Sequence, residues 1–147
     1  MKAKLLQPGP GHAGKTFALI FATGDAVMAG LQSFADSEKL AASHFTAVGA
    51  LRDVTLGWFD WDKKDYKKIP LHEQVEVLAL LGALTVEKGR RKVHAHLVVG
   101  TSDGNARGGH LLEGHVRPTL EVFLEETESE LRRSFDAEAQ ISLIRAT

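Results

Sequence analysis

Three of the seven histidines are placed where they could hold a metal ion. His94 and His96 flank Ala95 in a segment predicted to be a strand, and side chains alternate across a strand, so both imidazoles share one face. His110 follows a glycine pair at the start of the next predicted strand. Three convergent neutral imidazoles form a site for zinc or another divalent ion, with a fourth position for water or a ligand. Alternatively, the three residues are polar partners within a partly buried sheet or an interface.

Convergence of the three rings depends on the register of the hairpin that joins the two strands. If the turn is centred on Asp103, His96 lies opposite His110 and the rings converge. If it is centred between Asp103 and Gly104, His96 faces Leu111 and His110 points the other way, unless a bulge at Gly109 restores convergence. The sequence leaves both registers open.

A second motif, GPGHAGKT at residues 9–16, has the spacing of a phosphate-binding P-loop. A P-loop needs a buried strand before it and a helix after it, whose first amides point at phosphate. The motif instead follows the first eight residues of the chain and precedes Phe17–Thr23, an apolar segment predicted to be a strand. We therefore interpret residues 1–15 as a flexible Gly/Pro-rich arm and residues 16–147 as a single domain.

A run of basic residues forms the tip of a predicted hairpin and consists of Lys88, Arg90, Arg91 and Lys92. Its Gly-Arg centre resembles that of an AT-hook, although the Arg-Gly-Arg-Pro order is absent. Four positive charges could contact DNA phosphates, and a solvated turn is the ordinary alternative. Catalytic residues are not identifiable, although Glu76 and Glu121 are candidates for a general base beside a metal.

Bulk composition limits the classes of protein. The net charge of −1 over 147 residues lacks the basic excess typical of a free-standing nucleic-acid-binding domain. The absence of cysteine excludes disulfides and thiolate ligands and is consistent with a cytoplasmic location. No apolar run has the length that a bilayer requires, so we expect no membrane association.

The elements that position these residues are predicted to form an α+β fold with a mainly antiparallel, multi-stranded sheet. Helical spacing of apolar residues predicts one long N-terminal helix, capped by Thr23–Asp25 and continuing to about Leu40. A short C-terminal helix is allowed around residues 128–135, before a last strand at residues 141–144.

Five blocks of the chain resemble the PPC (plants-and-prokaryotes conserved) domain and follow the order found there. They are Val48–Asp60, Val75–Gly82, His94–Leu97, Asp103–Leu112 and Arg117–Val122. The resemblance implies a small α+β domain that assembles as a homotrimer. His94, His96 and His110 match the H-x-H and G-G-H blocks of the family, which implies a shared site that could hold metal.

The plant members of this family carry AT-hooks that contact DNA, while the domain itself mediates protein–protein contacts. Their interaction segment corresponds to residues 73–78, where this chain keeps the apolar/Glu alternation of Val75, Glu76, Val77 and Leu78 without the Gly-Arg pair. The chain resembles the stand-alone prokaryotic members, which are often described as DNA-binding.

The resemblance and the histidines lead to two functional expectations. The first is a homotrimeric module for DNA binding or regulation, with a three-histidine metal site. The alternative is a metal-dependent, zinc-using enzyme or a small-ligand-binding protein that uses the same histidines. The physiological ligand is not identified by the sequence.

Overall fold

The computed structural model describes residues 1–8 and 14–146, and the fold consists mostly of strands. Buried and exposed side chains alternate along much of β2, β3 and β6. These residues form nine strands and one helix. They are β1 (Lys2–Gln7), β2 (Thr16–Ala22), α1 (Val27–Ser37), β3 (Ser43–Asp60), β4 (Asp65–Leu71), β5 (Val75–Glu87), β6 (Arg90–Gly100), β7 (Ala106–Glu126), β8 (Arg132–Asp136) and β9 (Ile141–Ile144).

All nine strands belong to one sheet. Seven of them follow the order β1-β2-β7-β3-β5-β8-β9, and β4 and β6 pair with members of this series. β3 pairs with both β5 and β7, and β6 also pairs with both, so these four strands close a ring of antiparallel pairs. β4 forms a hairpin with β3. The pairing of β5 with β8 is parallel, so the sheet is mixed.

The predicted fold class is wrong in its helices. The N-terminal helix is short, with 11 residues, and begins at Val27 rather than at the predicted cap. Asp25 does not cap it, because its carboxylate accepts a hydrogen bond from the Ala22 N–H at 2.9 Å and lies 2.7 Å from the N-terminal ammonium. The helix ends before Lys39, whose φ of 57° is incompatible with a continuing α-helix.

The C-terminal helix is also wrong, because residues 132–136 form β8. The backbone of this strand pairs with the end of β5, where Val86 lies opposite Arg132 and Glu87 opposite Arg133. β9 then pairs antiparallel with β8. A pairing with a distant strand therefore overrides the local helical pattern of this charged segment.

The N-terminal segment contains a strand that the sequence did not indicate, since Lys2–Gln7 pairs antiparallel with β2. Residues 9–13 of the GPGHAGKT motif lie outside the described residues. Thr16 begins a strand, as predicted, and Lys15 Nζ lies 3.6 Å from Glu38 Oε2. The helix that a P-loop requires does not follow the motif directly.

The core lies on the inner face of the sheet, under α1. The apolar residues predicted for the inner stripe of the helix are buried, namely Val27, Leu31, Phe34 and Ala35. On β6, Val93, Ala95, Leu97 and Val99 are buried. The residues between them, His94, His96 and Val98, therefore lie on the outer face of the sheet. Within the described residues, no helix has the length and apolar character needed to cross a membrane.

Candidate metal centre

The register between β6 and β7 brings the three histidines together on the outer face of the sheet. His96 lies opposite His110, which is the first of the two registers that the sequence left open. The ring centroids are 5.1 Å apart for His94 and His96, 5.0 Å for His94 and His110, and 5.4 Å for His96 and His110. One ring nitrogen from each residue lies within 4.8 Å of the others.

Two glycines allow β7 to approach both of its neighbours at this point. A Cβ at Gly109 would lie 2.7 Å from the Gly57 carbonyl oxygen of β3. A Cβ at Gly108 would lie 3.2 Å from the Leu97 carbonyl oxygen of β6. Because side chains would hold the strands apart, the glycine pair before His110 is part of the geometry of the cluster.

Burial favours the neutral form of two of these histidines, His94 and His110. It lowers the pKa of His110 to about 4, and the neighbouring His94 and His96 rings lower this pKa further because two adjacent imidazolium charges would repel. Burial and then the adjacent Arg133 guanidinium also lower the pKa of His94. A neutral imidazole has a free lone pair, which is the form that binds metal.

One nitrogen of the cluster lacks a hydrogen-bond partner in the part of the chain that the structure describes. His110 Nδ1 is buried and unpaired, although buried polar atoms are normally hydrogen-bonded. Its ring stacks on Tyr66 of β4, with 4.7 Å between centroids and 30° between planes, which holds the ring in place. A buried, unpaired nitrogen on a ring of this cluster fits a metal ligand.

Arg133 completes the surroundings of the cluster and was missed by the sequence analysis. Its Nε donates a hydrogen bond to Thr85 Oγ1 at 2.8 Å, and its Nη1 donates to the Ser142 carbonyl oxygen at 2.9 Å. Its Nη2 lies 3.2 Å from His94 Nδ1. The predicted C-terminal helix hid this role, since only the strand β8 carries Arg133 to the histidines.

A cavity of about 370 Å³ lies beside the histidines. His94, His110, Tyr66 and Arg133 form part of its wall, together with the carboxylate of Glu87. This carboxylate accepts a hydrogen bond from the Ser142 hydroxyl. The cavity has the size and the mixture of apolar walls with a few polar groups that small-molecule sites have.

The two carboxylates suggested as general bases lie away from the cluster. Glu76 is opposite Gly100, four residues from His96 along β6, which corresponds to about 13 Å. Glu121 lies opposite Ile20 and Val48, near the far end of β7 and eleven residues beyond His110 on the same strand. Neither is brought to the histidines.

The remaining predicted site residues lie elsewhere on the sheet, except Lys92, which also lines the cavity beside the histidines. Lys88, Arg90, Arg91 and Lys92 surround the β5–β6 turn, in which Lys88 and Gly89 both have positive φ, as a tight two-residue hairpin requires. Along the segment 75–78, Val75 and Val77 are buried in the core, whereas Glu76 and Leu78 are exposed. Only the exposed pair of that segment is available for an interaction.

The fold and the three-histidine cluster define a sheet-dominated domain with a candidate divalent-metal centre on its outer face. Residues 9–128 match the family model of the Plants and Prokaryotes Conserved (PCC) domain, also abbreviated PPC, and the chain belongs to this family. β8 and β9, which supply Arg133 and Ser142, lie beyond the matched residues.

Solved structures with the same fold extend over nearly the whole chain. A PPC protein of Pyrococcus horikoshii is 29% identical, with a TM-score of 0.85 over 92% of this chain and 94% of that one. A metal-containing protein of Archaeoglobus fulgidus is 30% identical, with a TM-score of 0.83 over 91% and 95%. A candidate DNA-binding protein of Bacteroides thetaiotaomicron is 21% identical, with a TM-score of 0.86 over 94% of each chain, and shows the fold alone.

A curated relative shares sequence with this chain over a small part of its own length. The bifunctional protein GlmU of Synechococcus sp. (strain JA-3-3Ab) is 34% identical over 120 residues, which make up 80% of this chain. The chain spans 18% of the length of that relative.

The lowered pKa of His110 predicts that the metal-free protein loses stability in mild acid. An unfolded histidine titrates near 6.5, so between about pH 6.5 and 4 the unfolded chain binds a proton that folded His110 does not. Stability therefore falls as the pH drops through this window, by about 1–3 kcal/mol for this residue. Urea unfolding at pH 7, 5 and 4 in the presence of a chelator measures the loss.

The experiment compares a variant of the half-buried His110 with a control variant of the exposed His72. His110→Gln removes the titrating group and should flatten the pH dependence, whereas His72→Gln on the surface should leave it unchanged. Equal pH dependence in the wild type and in His110→Gln would contradict the burial argument.

Proposed function

We propose that this protein is a self-associating PPC-domain module that binds a divalent metal, zinc or a related ion, through His94, His96 and His110. The observation that carries the proposal is that one nitrogen from each histidine lies within 4.8 Å of the other two. The depressed pKa values of His94 and His110 support it, because metal ligands must be deprotonated. The similarity to a protein described as metal-containing also supports it.

We favour the binding of a small ligand at this metal over a hydrolytic reaction. When bound, zinc acts as a Lewis acid toward a carbonyl group or water. The residues around the metal site are suited to orienting a ligand, because Tyr66 stacks on His110 and Thr85 accepts a hydrogen bond from Arg133. The carboxylate that lines the cavity, Glu87, already accepts a hydrogen bond from Ser142. Glu76 and Glu121 lie away from the histidines and do not serve as a base there.

We predict that protein purified without an affinity tag and dialysed against zinc retains about one ion per chain. His96→Ala and His110→Ala should each weaken zinc binding by at least about 100-fold, because loss of a ligand exceeds the effect of losing an outer-shell partner. Elemental analysis and competition with a chelating dye measure stoichiometry and affinity. His44→Ala, which changes an exposed histidine beside Glu125, is the matched control. Unchanged affinity in His96→Ala would refute the site.

Exposed apolar side chains on the same face of the sheet support self-association, and we propose a homotrimer. His96 lies opposite Leu81, Leu81 opposite Thr46, and Thr46 opposite Phe123, so these side chains form a row across the outer face. Leu81 is 59% exposed and Phe123 49%, with Val48 and Val98 beside them also exposed. Large exposed apolar side chains grouped on one face of a sheet are typical of a protein–protein interface.

We expect the wild-type chain of 16.0 kDa to have the mass of a trimer in light scattering coupled to size exclusion. Leu81→Arg should shift it to a monomer, because burying an unpaired charge at an interface is strongly unfavourable. Trp61→Arg changes a side chain that is 51% exposed in the turn between β3 and β4, and should leave the trimer intact. A monomeric wild type, or a trimeric Leu81→Arg, would contradict this assignment.

DNA binding is a second candidate, favoured by the basic tip of the β5–β6 hairpin. Lys88, Arg90 and Lys92 present their charges at an exposed turn. The contact would be mainly with phosphates, because the overall charge of −1 supplies no further attraction.

A salt titration of duplex binding tests this candidate. Replacing Lys88 and Arg90 by alanine should reduce the slope of log K against log salt by about 2, one unit for each lost phosphate contact. Replacing Lys67 and Lys68 on β4, which are also exposed, is the matched control. Binding without salt dependence, or equal slopes in both variants, would remove the hairpin as a DNA contact.

A further inference from the structure

The charged side chains that line the cavity beside the histidines have a net positive charge. Arg133 and Lys92 are the cations in its wall, and Glu87 is the carboxylate. A divalent ion on the three histidines would add two more positive charges. The rest of the wall is largely apolar and includes Met28, Leu112, Ile141 and Leu143.

Arg133 has an unusual set of partners for a half-buried arginine. Two of its nitrogens donate to neutral oxygens, those of the Thr85 hydroxyl and the Ser142 carbonyl. Among the described residues, no carboxylate lies within 4.0 Å of its guanidinium, and the Glu87 carboxylate acts on it only from a longer distance. Its third nitrogen, Nη2, faces His94 Nδ1 at 3.2 Å. A guanidinium fork normally pairs with a carboxylate or a phosphate.

The hydrogen bond between Arg133 and His94 is incompatible with metal coordination by His94. A guanidinium only donates, so His94 Nδ1 must accept and a neutral ring then carries its proton on Nε2. A metal-bound neutral imidazole gives its lone pair to the ion and keeps a proton on the other nitrogen, where it donates. Such a ring offers no acceptor to Arg133, whichever nitrogen holds the metal.

We propose that metal binding releases Arg133 Nη2 from His94 and that the freed guanidinium binds the carboxylate of a small organic acid in the cavity. This inference rests on the metal site proposed above. The anchors at Thr85 and Ser142 keep the guanidinium at the cavity wall when its third contact is lost. The apolar side chains opposite take the short hydrocarbon part of the acid, which favours a carboxylate over inorganic phosphate.

The C-terminal hairpin is the element that confers this specificity. β8 carries Arg133, and β9 carries Ile141, Ser142 and Leu143 along the cavity. Both strands lie outside the residues matched to the family model. The histidines thus belong to the part of the chain that the family model matches, whereas the anion-binding group comes from outside it.

Zinc affinity measured with and without butyrate tests the inference, and butyramide serves as the uncharged isostere. Butyrate should raise the affinity of the wild type for zinc by about 10-fold, within the usual range of coupling between two sites, and butyramide should not. In the absence of butyrate, Arg133→Ala should bind zinc more tightly than the wild type. The substitution removes a side chain that competes with zinc for His94 and a positive charge that repels the ion. Butyrate should no longer raise the zinc affinity of this variant.

Two further variants control for folding. Arg132→Ala removes a neighbouring exposed arginine paired with Glu130 and should behave as the wild type in both measurements. Arg133→Lys keeps the charge without the planar fork, and should retain only a small part of the butyrate increment even if Arg133→Ala is unstable.

The outcomes separate this inference from the metal site. Absence of zinc binding in the wild type would refute the site itself. Zinc binding without an effect of butyrate, or with the same effect in Arg133→Ala or Arg133→Lys, would refute the anion role alone. Weaker zinc binding in a folded Arg133→Ala would show that Arg133 supports His94 rather than competes for it. An increment from inorganic phosphate but not from butyrate would overturn the assignment of a carboxylate.

Discussion

The antiparallel register between β6 and β7 is the constraint on which the candidate site depends. It places His96 opposite His110, and a shift of one residue would move His110 to the inner face of the sheet. The register is held where β7 touches two strands at once, and there Gly109 packs against the Gly57 carbonyl. The site is therefore a property of strand pairing in a rigid sheet rather than of a loop, which suits a preorganised set of ligands.

The same packing determines the electrostatics of the cluster. Burial makes protonation of His94 and His110 unfavourable, so it favours the neutral form of both rings. An arginine beside them is then tolerable, since neutral imidazoles do not repel it and Nδ1 of His94 can accept from it. Without a metal, the neutral histidines and the arginine are compatible neighbours. When a cation binds, the hydrogen bond between Arg133 and His94 must break. That contact is the point at which metal and anion binding would be coupled.

Alternation of apolar and polar residues was enough to predict most of the sheet and the shared face of His94 and His96, because this period is local. The register at His110 was not predictable, since a turn around Asp103 and Gly104 allows two pairings. The C-terminal segment was misread for a related reason. Its strand depends on pairing with β5 and on the Arg133–Thr85 bond, 48 positions apart in the chain, and neither has a local signal. The predicted N-terminal helix was too long because the real helix ends before Lys39, whose positive φ breaks it. No glycine or proline marks this end in the sequence.

The candidate metal centre and the proposed interface lie on the same outer face of the sheet. The row that runs from Phe123 through Thr46 and Leu81 to His96 ends at His110, so an assembly that covered the apolar part would border the histidines. His96 is the exposed member of the three, whereas His94 and His110 are half-buried. Covering this row would remove water from the most exposed ligand and strengthen the electrostatic interactions there. Self-association and metal binding would then favour each other, because each acts on the same residues of the outer face.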